Sequence, residues 1–462
     1  MTKTLTAILI GAGQRGAESY APYALRHPDQ LRFVAVAEPI TERRQRFAAQ
    51  HHLPAQALYE SWEPLLSQPK IADAALICTQ DQQHTAPTLA ALQAGYDVLL
   101  EKPMATTLEE CVQLVRSAEQ TGRQLHICHV MRYTPHAQKL RQILQSGMLG
   151  EVVNVSHREN VSYWHMAHSY VRGNWANLSR SAPMILAKCC HDLDILTWWL
   201  ERRCEQLSST GDLLEFNPAH APAGAPQFCL DGCPAAESCP YYAPRVYLEL
   251  APLWQSFAET SNGFNRLAVQ TYRRYPRLIR ALSPLYAPLR TLSNYRSWPL
   301  TVVAGDPTPE NLTAALRTGP YGRCVYHCDN DVVDRQAVLM QFEGGLPVTL
   351  TMQGHSHIEY RTTRIEGTRA TLLAEFGYGG SWIEVRQHRS DRHTRYNTSA
   401  SPEHGHGGGD EALMAGFVRS LSGESSQALT LARQSLESHR MAFAAEQARL
   451  EGRVIKMDEV LA

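Results

Sequence analysis

The chain has 462 residues, a mass of 51.7 kDa and a net charge of −1, with 44% hydrophobic and 19% charged residues. This length exceeds one ordinary domain, and the composition is typical of globular proteins with sizeable cores. The near-neutral charge argues against nucleic acid or an anionic membrane as partner, and we find no apolar run long enough for a transmembrane helix. With no signal peptide expected, the 11 cysteines indicate a cytoplasmic protein with reduced thiols.

The first part of the chain alternates β-rich runs with helical patterns, which predicts a doubly wound parallel sheet. Strands are predicted at 5–10, 32–38, 73–79, 97–103 and 124–130. A helix is predicted over 85–95, and another over 106–122, where Thr107 and Glu110 have the spacing of a capping box. We therefore predict a dinucleotide-binding Rossmann domain over 1–150.

Residues 151–462 are predicted to form a second, α+β domain. Its β-rich segments lie at 151–164, 335–353, 357–375 and 381–388, and its helices at 183–200, 410–423 and 431–452. An insertion at about 205–325 is rich in Pro, Cys, Tyr and Arg and lacks clean periodicity. Within it the basic, aromatic stretch 266–290 predicts a solvated helix or a lid over the site, in preference to an RNA or membrane surface.

A G-x-G-x-x-G motif follows the first strand and opens a helix, the context of a dinucleotide fingerprint. Its residues are expected to contact the cofactor: Gly11, Gly13, Gln14, Arg15 and Gly16. Glu38 ends the next strand, where an acid binds ribose hydroxyls. Its charge would repel a 2′-phosphate, which favours NAD over NADP, although Arg43 and Arg44 lie close by.

Lys102 ends a strand just before a proline and should project at the C-terminal edge of the sheet, where open α/β folds bind ligands. Together, "TQDQQH" (79–84), "ALQAGYDVLLEKPM" (91–104) and "HVMRYTP" (129–135) resemble the glucose–fructose oxidoreductase/inositol dehydrogenase (Gfo/Idh/MocA) family. The resemblance covers about 1–200 densely and about 335–460 more loosely. It implies a Rossmann domain plus a domain with an open, mostly antiparallel sheet, and NAD- or NADP-dependent chemistry on sugars, cyclitols or polyols.

The resemblance also implies which residues line the cofactor cleft. Besides the glycine loop and Glu38 these are Thr79, Gln80, His84, Glu101 and Lys102. Lys102 matches the lysine that lies beside nicotinamide and substrate in the family. Arg132 and Tyr133 match an R-Y pair that either contacts the substrate or packs at the domain junction.

The stretch "LAKCCHDLDIL" (186–196) concentrates cysteines, a histidine and two aspartates on one predicted helix. Adjacent helical side chains diverge by about 100°, so a metal site here is disfavoured against a core histidine or a catalytic one. The family carries an acid three residues after its catalytic histidine, which Asp194 matches relative to His191. It also carries an aspartate four residues before, where this chain has Ala187, so Lys188 is a candidate replacement.

Oxidation of a carbinol requires a base within hydrogen-bond reach of the hydroxyl. His191 has a suitable ordinary pKa, while Lys102 can serve as the base if the site lowers its pKa, or can polarise the oxygen as a cation. Lys188, His191 and Asp192 are expected to share one helix face. The aromatic stretch 162–175 suits a carbohydrate, so the substrate candidates are Tyr163, His165, His168, Arg172 and Asn174, with Arg132, Tyr133 and Asp194.

The insertion carries five cysteines, spaced C-x3-C-x5-C and then C-x3-C. A structural Zn²⁺ bound by four thiolates would join the two ends of the insertion, with reduced thiols or a disulfide as the alternatives. The predicted ligands are Cys229, Cys233, Cys239 and Cys324, with Cys328 as an alternative ligand.

Three functions follow from these residues. The first is an NAD(P)-dependent oxidoreductase that transfers hydride at a carbinol carbon of a carbohydrate or polyol. The second is an NAD-dependent glycosidase that uses transient oxidation at C3, elimination and re-reduction on a glycoside. The third is a non-catalytic NAD-binding sensor, which the departure at Ala187 leaves open. The resemblance further implies a homo-oligomer, dimer or tetramer, packed through the C-terminal sheet.

Overall fold

The structure is a computed structural model that describes residues 4–260, 263–275, 294–377, 380–399, 406–424 and 430–460. Of the basic, aromatic stretch 266–290, residues 276–290 lie outside the described residues. Its described part ends the helix Gly263–Arg274. No helix in the described ranges is long and apolar enough to cross a membrane.

The N-terminal part forms a six-stranded parallel sheet with the order β3-β2-β1-β4-β5-β6. The strands are β1 Leu5–Ile10, β2 Leu31–Ala37, β3 Leu58–Tyr59, β4 Ala74–Ile77, β5 Asp97–Leu100 and β6 Leu125–Ile127. The central strands are short apolar runs because both of their faces are buried. The predicted doubly wound parallel sheet is confirmed. The two-residue strand β3 carried no sequence signal.

Helices cover both faces of this sheet. They are α1 Pro22–Arg26, α2 Thr41–His51, α3 Trp62–Leu66, α4 Thr85–Gln93 and α5 Leu108–Thr121. The next helix, α6 Pro135–Gln145, packs instead in the core of the second domain. The predicted start of α5 is confirmed, because the hydroxyl of Thr107 accepts from the backbone N–H of Glu110 at 3.2 Å. The helix ends at Gly122, whose φ of 63° is the left-handed conformation of a C-cap.

The second sheet has nine strands in the order β14-β13-β12-β11-β7-β10-β9-β8-β15. Among the described strands of this second sheet only β7 and β10 pair in parallel, so the mostly antiparallel sheet is confirmed. The strands are β7 Val152–Ser162, β8 Cys204–Asp212, β9 Arg335–Phe342, β10 Leu346–Ser356, β11 Tyr360–Gly367, β12 Ala370–Gly377, β13 Trp382–Gln387, β14 His393–Asn397 and β15 Ile455–Lys456. One face packs on helices and the other is largely exposed.

The helix predicted over 183–200 is interrupted, so that prediction was wrong in detail. After α7 Tyr163–His165 the chain forms α8 Met184–Ala187 and α9 Cys190–Leu200, with a break at Lys188 and Cys189. At the break the carbonyl of Ala187 accepts a hydrogen bond from Lys102 Nζ at 2.9 Å. Lys102 therefore contacts the chain at the break itself, just before the start of α9.

The insertion begins later than predicted, because residues 204–212 form β8 and pair with β9. It contains α10 Ala243–Tyr247, α11 Ala251–Thr260 and α12 Gly263–Arg274, then helices Leu300–Val303 and Pro309–Thr318. These elements bury a core of their own that is rich in aromatic side chains. The insertion is thus a folded subdomain attached to the second domain.

Two helices near the C-terminus, Gly409–Leu421 and Ala432–Glu451, connect the domains. The first packs its apolar residues, including Met414 and Phe417, into the core on one face of the parallel sheet. The second places Ala432 and Leu436 in the core on the other face and continues into the core of the second domain. The C-terminal region therefore completes the first domain as well as the second.

Candidate functional site

The glycine loop has the open backbone that a pyrophosphate requires. Gly11 has a φ of 92°, and a side chain there would meet the carbonyl oxygen of Cys78 at 2.6 Å. A side chain at Gly16 would collide with the carbonyl of Gly11 at 2.3 Å, so only glycine lets the loop turn this tightly. A Cβ added at Gly13 would lie 4.0 Å from its nearest described neighbour, Arg43 Nη1, which leaves the backbone accessible.

The segment Gln14–Tyr20 that follows is a π-helical turn whose first residues receive no side-chain cap. Its N-terminal N–H groups can therefore donate to an anion. Gln14 is exposed beside the loop. These features together fit a dinucleotide, with the loop Gly11–Gly16 holding the phosphates.

Glu38 lies at the mouth of this loop. Its Oε2 accepts from the backbone N–H of Ala12 at 2.8 Å and its Oε1 from that of Ile40 at 3.0 Å. Arg44 is turned away, since its guanidinium donates to the Glu38 carbonyl and to Glu60. Each carboxylate oxygen retains a second lone pair for a ribose hydroxyl.

Arg15, which the sequence predicts to contact the cofactor, forms ion pairs with two carboxylates of the protein. Its Nε donates to Glu101 Oε1 at 2.6 Å, and its Nη2 to Asp410 Oδ1 at 2.9 Å. Tyr20 donates to the same oxygen of Glu101 at 2.6 Å. Burial would raise the pKa of Glu101, but the charges of Arg15 and Lys102 hold it below its usual range. Arg15 thus ties the glycine loop to the end of β5 and to the helix Gly409–Leu421.

The loop after β4 contributes the remaining predicted cofactor residues. His84 is fully buried; its Nδ1 bonds the carbonyl of Pro103 at 2.8 Å and its Nε2 that of Thr79 at 3.2 Å. His84 therefore braces two loops at the edge of the sheet. Thr79 donates to the carbonyl of Gln83 at 3.0 Å, and Gln80 is exposed beside it.

Lys102 and His191 come together where β5 ends and α9 begins. Lys102 Nζ bonds the carbonyl of Ala187, which precedes His191 by four residues and so lies one turn before it. Burial, and after it the charge of Lys102 and the neighbouring His129, hold the pKa of His191 well below its ordinary value. His191 Nδ1 is buried without a hydrogen-bond partner among the described residues. The pair combines a neutral imidazole with a fixed cation.

His129 stands behind His191, with ring centroids 5.6 Å apart and nearly perpendicular planes. Both ring nitrogens of His129 are buried and lack hydrogen-bond partners in the described part of the chain. Burial and the charges of Arg132 and Lys102 lower its pKa. His439 lies on the other side and accepts from the backbone N–H of Met104 at 2.8 Å.

Lys188 does not face His191. Its ammonium contacts Glu359 Oε1 at 2.5 Å and Glu159 Oε1 at 3.3 Å, on the side of the second sheet. Burial would lower the pKa of Lys188, but these two carboxylates raise it. The sequence predicts that Lys188 replaces the aspartate that the family carries at the position of Ala187. No contact among the described residues joins Lys188 to His191, so a catalytic role of Lys188 stays a prediction.

Asp192 also faces the second sheet, so the predicted shared face of Lys188, His191 and Asp192 is split. Asp192 Oδ1 bonds His157 Nε2 at 2.9 Å and Arg361 Nε at 2.7 Å. Arg361 Nε lies 2.8 Å from Glu159 Oε2 as well. Burial raises the pKa of Glu159. The result is a buried network of alternating charges next to the candidate site.

Asp194 is held by Arg132 in a bidentate ion pair, with both N···O distances 2.6 Å. Burial nevertheless raises the pKa of Asp194. Tyr133 packs against Gly416 of the helix Gly409–Leu421, at the domain junction. For Arg132 and Tyr133 the structure gives packing and pairing partners, and contact with a substrate stays a prediction.

The aromatic segment 162–175 divides in two. His165 pairs with Glu359 and so joins the network of Lys188, and Tyr163 is partly exposed near Tyr241. His168 bonds Tyr247 at 2.9 Å, and Arg172 bonds carbonyls of the insertion. Asn174 is exposed at the end of the segment. Among these, His165 shares its partner Glu359 with Lys188, which lies two positions before the start of α9.

The five cysteines of the insertion gather where its two ends meet. The thiols of four line one small cavity together with Arg172: Cys229, Cys233, Cys239 and Cys324. All five are unpaired. Within the described ranges no three His, Cys, Asp or Glu side chains converge as a metal's ligands, so the predicted zinc site stays a prediction.

Sequence reasoning missed several side chains that complete the site. They are His129, Glu159, Glu359, Arg361, Asp410 and His439. His129 lies in the motif 129–135 and was overlooked. Glu159 had a usable signal, because the alternation of β7 places it on the same buried face as Val155 and His157, where an acid is costly unless it is paired.

The comparisons with known proteins agree with this geometry. The family model described as an oxidoreductase family with an NAD-binding Rossmann fold, GFO_IDH_MocA, matches residues 5–129. Those residues contain the glycine loop, Glu38, Glu101 and Lys102. The resemblance found in the sequence is therefore confirmed over this range.

Curated relatives extend the match beyond the first domain. The chain is 34% identical over 141 residues to the trans-1,2-dihydrobenzene-1,2-diol dehydrogenase of Bos taurus, covering 30% of this chain and 41% of the relative. It is 28% identical over 237 residues to the inositol 2-dehydrogenase of Streptomyces avermitilis, covering 50% of this chain and 63% of the relative. The chain thus spans less than two thirds of the length of these relatives.

A solved structure matches the whole fold. An oxidoreductase from Agrobacterium radiobacter, in complex with NAD⁺, L-tartaric acid and magnesium, superimposes with a TM-score of 0.65 over 99% of each chain at 15% identity. At this identity the match establishes the two-domain fold alone.

Proposed function

We propose that the chain, whose residues 5–129 match the model of the GFO_IDH_MocA oxidoreductase family, binds a nicotinamide dinucleotide and transfers hydride at a carbinol carbon of a sugar or polyol. The observation that carries the proposal is the meeting of Lys102 and His191 at the C-terminal edge of the parallel sheet. In open α/β folds this edge binds the ligand. The inositol 2-dehydrogenase relative supports a polyol as the substrate class.

The chemistry requires a base, a cation and a hydride acceptor. When bound, the nicotinamide ring supplies the hydride acceptor. The neutral imidazole of His191 accepts the hydroxyl proton as the carbon–hydrogen bond breaks, and the carbonyl of the product forms. The Lys102 ammonium donates one N–H to Ala187, and its remaining N–H groups stabilise the charge on the reacting oxygen. Reversal of these steps reduces the carbonyl.

We propose NAD over NADP as the preferred cofactor. The carboxylate of Glu38 is fixed at Ala12 in the glycine loop, where a 2′-phosphate would be repelled. The guanidinium of Arg44 donates to Glu60. Arg43 lies beside Gly13 and is the cation that would attract the 2′-phosphate of NADP. Titration with both cofactors is expected to give the lower Kd for NAD⁺, and Glu38→Ala should reduce the difference. Tighter binding of NADP⁺ to the unaltered protein would overturn this preference.

Net redox chemistry and glycoside hydrolysis use the same residues but differ in products. The protein is incubated with NAD⁺ and a panel of free sugars and polyols, and in parallel with chromogenic glycosides. The proposal predicts accumulation of NADH in stoichiometric amount with a free polyol. Release of the chromophore without net NADH would select the glycosidase. Cofactor binding with no turnover of either kind would select the sensor.

We also propose a homo-oligomer packed through the second sheet. The outer face of β9 is exposed and carries Leu339, of which 54% is accessible in the single chain. Such an open sheet face is a candidate for burial against a second copy. Light scattering of the purified protein should give a mass of at least twice 51.7 kDa, and a monomer at micromolar concentration would contradict the proposal.

A further inference from the structure

The two ends of the insertion are joined by a short antiparallel contact between residues 227–229 and 322–324. The backbone N–H of Cys229 donates to Gly322 and that of Cys324 donates to Gln227, both at 2.9 Å. This pairing brings Cys229 and Cys324, 95 positions apart in the chain, to adjoining strands. Cys233 and Cys239 follow in the turns just beyond.

These four thiols surround one cavity. Besides the cysteines it is lined by Arg172, by three tyrosines and by proline, alanine and valine side chains, and it has a volume of about 10 Å³. A volume of roughly 10–15 Å³ holds one water molecule. The space therefore suits a single ion and is too small for a polynuclear iron–sulfur cluster.

Arg172 gives an independent reason to expect negative charge in this place. The side chain is 4% exposed, and arginine stays charged in proteins. Its Nε donates to the carbonyl of Arg323 at 2.7 Å, and its Nη2 donates to the carbonyl of Tyr241 at 2.8 Å and contacts Cys229 Sγ at 3.6 Å. Its Nη1 is buried and has no hydrogen-bond partner among the described residues.

The hydrogen-bond partners of this guanidinium among the described residues are two carbonyl oxygens and the Cys229 sulfur, and none is a carboxylate. A buried charge without a counter-charge is strongly unfavourable. Four thiolates on one divalent cation carry a net charge of −2, which would supply the missing counter-charge and acceptors for Nη1.

We propose that Cys229, Cys233, Cys239 and Cys324 bind one Zn²⁺ ion as thiolates and that Arg172 offsets half of the complex's charge of −2 through N–H···S contacts. Binding releases the four thiol protons, forms four Zn–S bonds and involves no change of oxidation state. Among the described residues the thiols line the cavity without converging, so binding requires them to move to the Zn–S distance of about 2.3 Å. Thiolate ligands select zinc over harder divalent cations.

The site has a structural role in this account. It fastens both ends of the insertion, and through Arg172 it holds the segment Met166–Val171 that precedes this arginine. His165, directly before that segment, pairs with Glu359. Zinc therefore stabilises the position of the aromatic segment 162–175, and this role does not depend on whether hydride transfer takes place.

The test is the metal content of protein purified under reducing conditions, without chelator, from cells grown with added zinc. We expect one zinc per chain in the wild type and less than a tenth of that in Cys229→Ser and Cys239→Ser. Cys111→Ser, a buried thiol of the first domain, is the matched control and should keep its zinc. Zinc that persists in the Cys229→Ser variant is adventitious and would overturn the proposal, as would iron with sulfide in place of zinc.

Measurements on the wild type and on Arg172 variants test the site even if the cysteine variants fail to fold. Native wild type should release its zinc to a dye only when a mercurial reagent blocks the thiols. Arg172→Met should raise the zinc Kd at least tenfold, and Arg172→Lys should restore part of that loss. Four freely titratable thiols in native, zinc-free protein would contradict the site, and so would an unchanged zinc affinity in Arg172→Met.

Discussion

The imidazole of His191 is held neutral by its surroundings. Burial comes first among the causes, and the positive charge of Lys102 and the ring of His129 add to it. A neutral histidine can accept the proton of a substrate hydroxyl at neutral pH without first losing its own. At the scale of residues, the His191 base and the Lys102 ammonium therefore act on the same substrate oxygen in the proposed reaction.

Removal of the base should be the most costly single change. His191→Asn is expected to lower kcat/KM by roughly 10²–10⁴-fold, the usual contribution of general acid–base catalysis. His126→Asn is a matched control, because His126 is also buried with a lowered pKa but contacts, among the described residues, Gln124 and Phe417 and not Lys102 or His191. Steady-state kinetics on both variants is the measurement. Equal activities in the two would exclude His191 as the base.

Lys102 should contribute charge without being needed for cofactor affinity. Lys102→Met is expected to lower kcat by at least roughly 10²-fold, since an electrostatic contact to the reacting oxygen is lost. Lys70→Met provides the control: Lys70 also bonds a backbone carbonyl, that of Gly95, at the opposite end of the sheet. Cofactor titration and steady-state kinetics separate binding from turnover. A Lys102→Met enzyme with full kcat would contradict the assigned role.

At the scale of elements, local patterns predicted more than contacts between distant elements. The five longer strands of the parallel sheet and the start of α5 follow from apolar runs and from Thr107. The break between α8 and α9 does not, and neither does the contact found there between the carbonyl of Ala187 and Lys102, 85 positions earlier in the chain. Local pattern also fails to show that Lys188 faces away from His191, because its partners Glu159 and Glu359 are distant in the sequence and are brought to it only by the fold.

The helix Gly409–Leu421 is held on the first domain by a buried ion pair that no local pattern reveals. Asp410→Asn removes the carboxylate that faces Arg15 and should lower the free energy of unfolding by about 3 kcal/mol. Glu411→Gln, one position along the same helix, removes a more exposed pair with Arg26 and should cost less than about 1 kcal/mol. Urea unfolding of both variants checks this. A smaller loss for Asp410→Asn than for Glu411→Gln would refute the assignment.

At the scale of the whole molecule, many histidines are buried in neutral form. Burial lowers the pKa of His126 to about 4, and burial with neighbouring charges lowers the pKa of His136 and His439 to about 3. The unfolded chain protonates these groups near pH 6.5, whereas the folded chain does not. Below pH 6.5 the unfolded state therefore binds more protons, and stability must fall as the pH falls.

The expected pH dependence has a definite sign and size. Each such histidine contributes about 1.4 kcal/mol per pH unit below pH 6.5. Glu159 and Asp194, whose pKa values burial raises, oppose this in part. We expect the free energy of unfolding to fall by a net amount of about 2 kcal/mol per unit between pH 6 and 5. Urea unfolding at both pH values is the measurement, and a stability that rises on acidification would be inconsistent with neutral buried histidines.

The central claim is tested most directly by hydride transfer itself. The protein, saturated with NAD⁺, is mixed with each member of a panel of sugars and polyols while the absorbance of reduced nicotinamide is followed. Our account predicts stoichiometric NADH with at least one member, a loss of at least roughly 10²-fold in rate for His191→Asn and Lys102→Met, and an unchanged rate for Lys70→Met. NADH formation that persists at the wild-type rate in both site variants would contradict it.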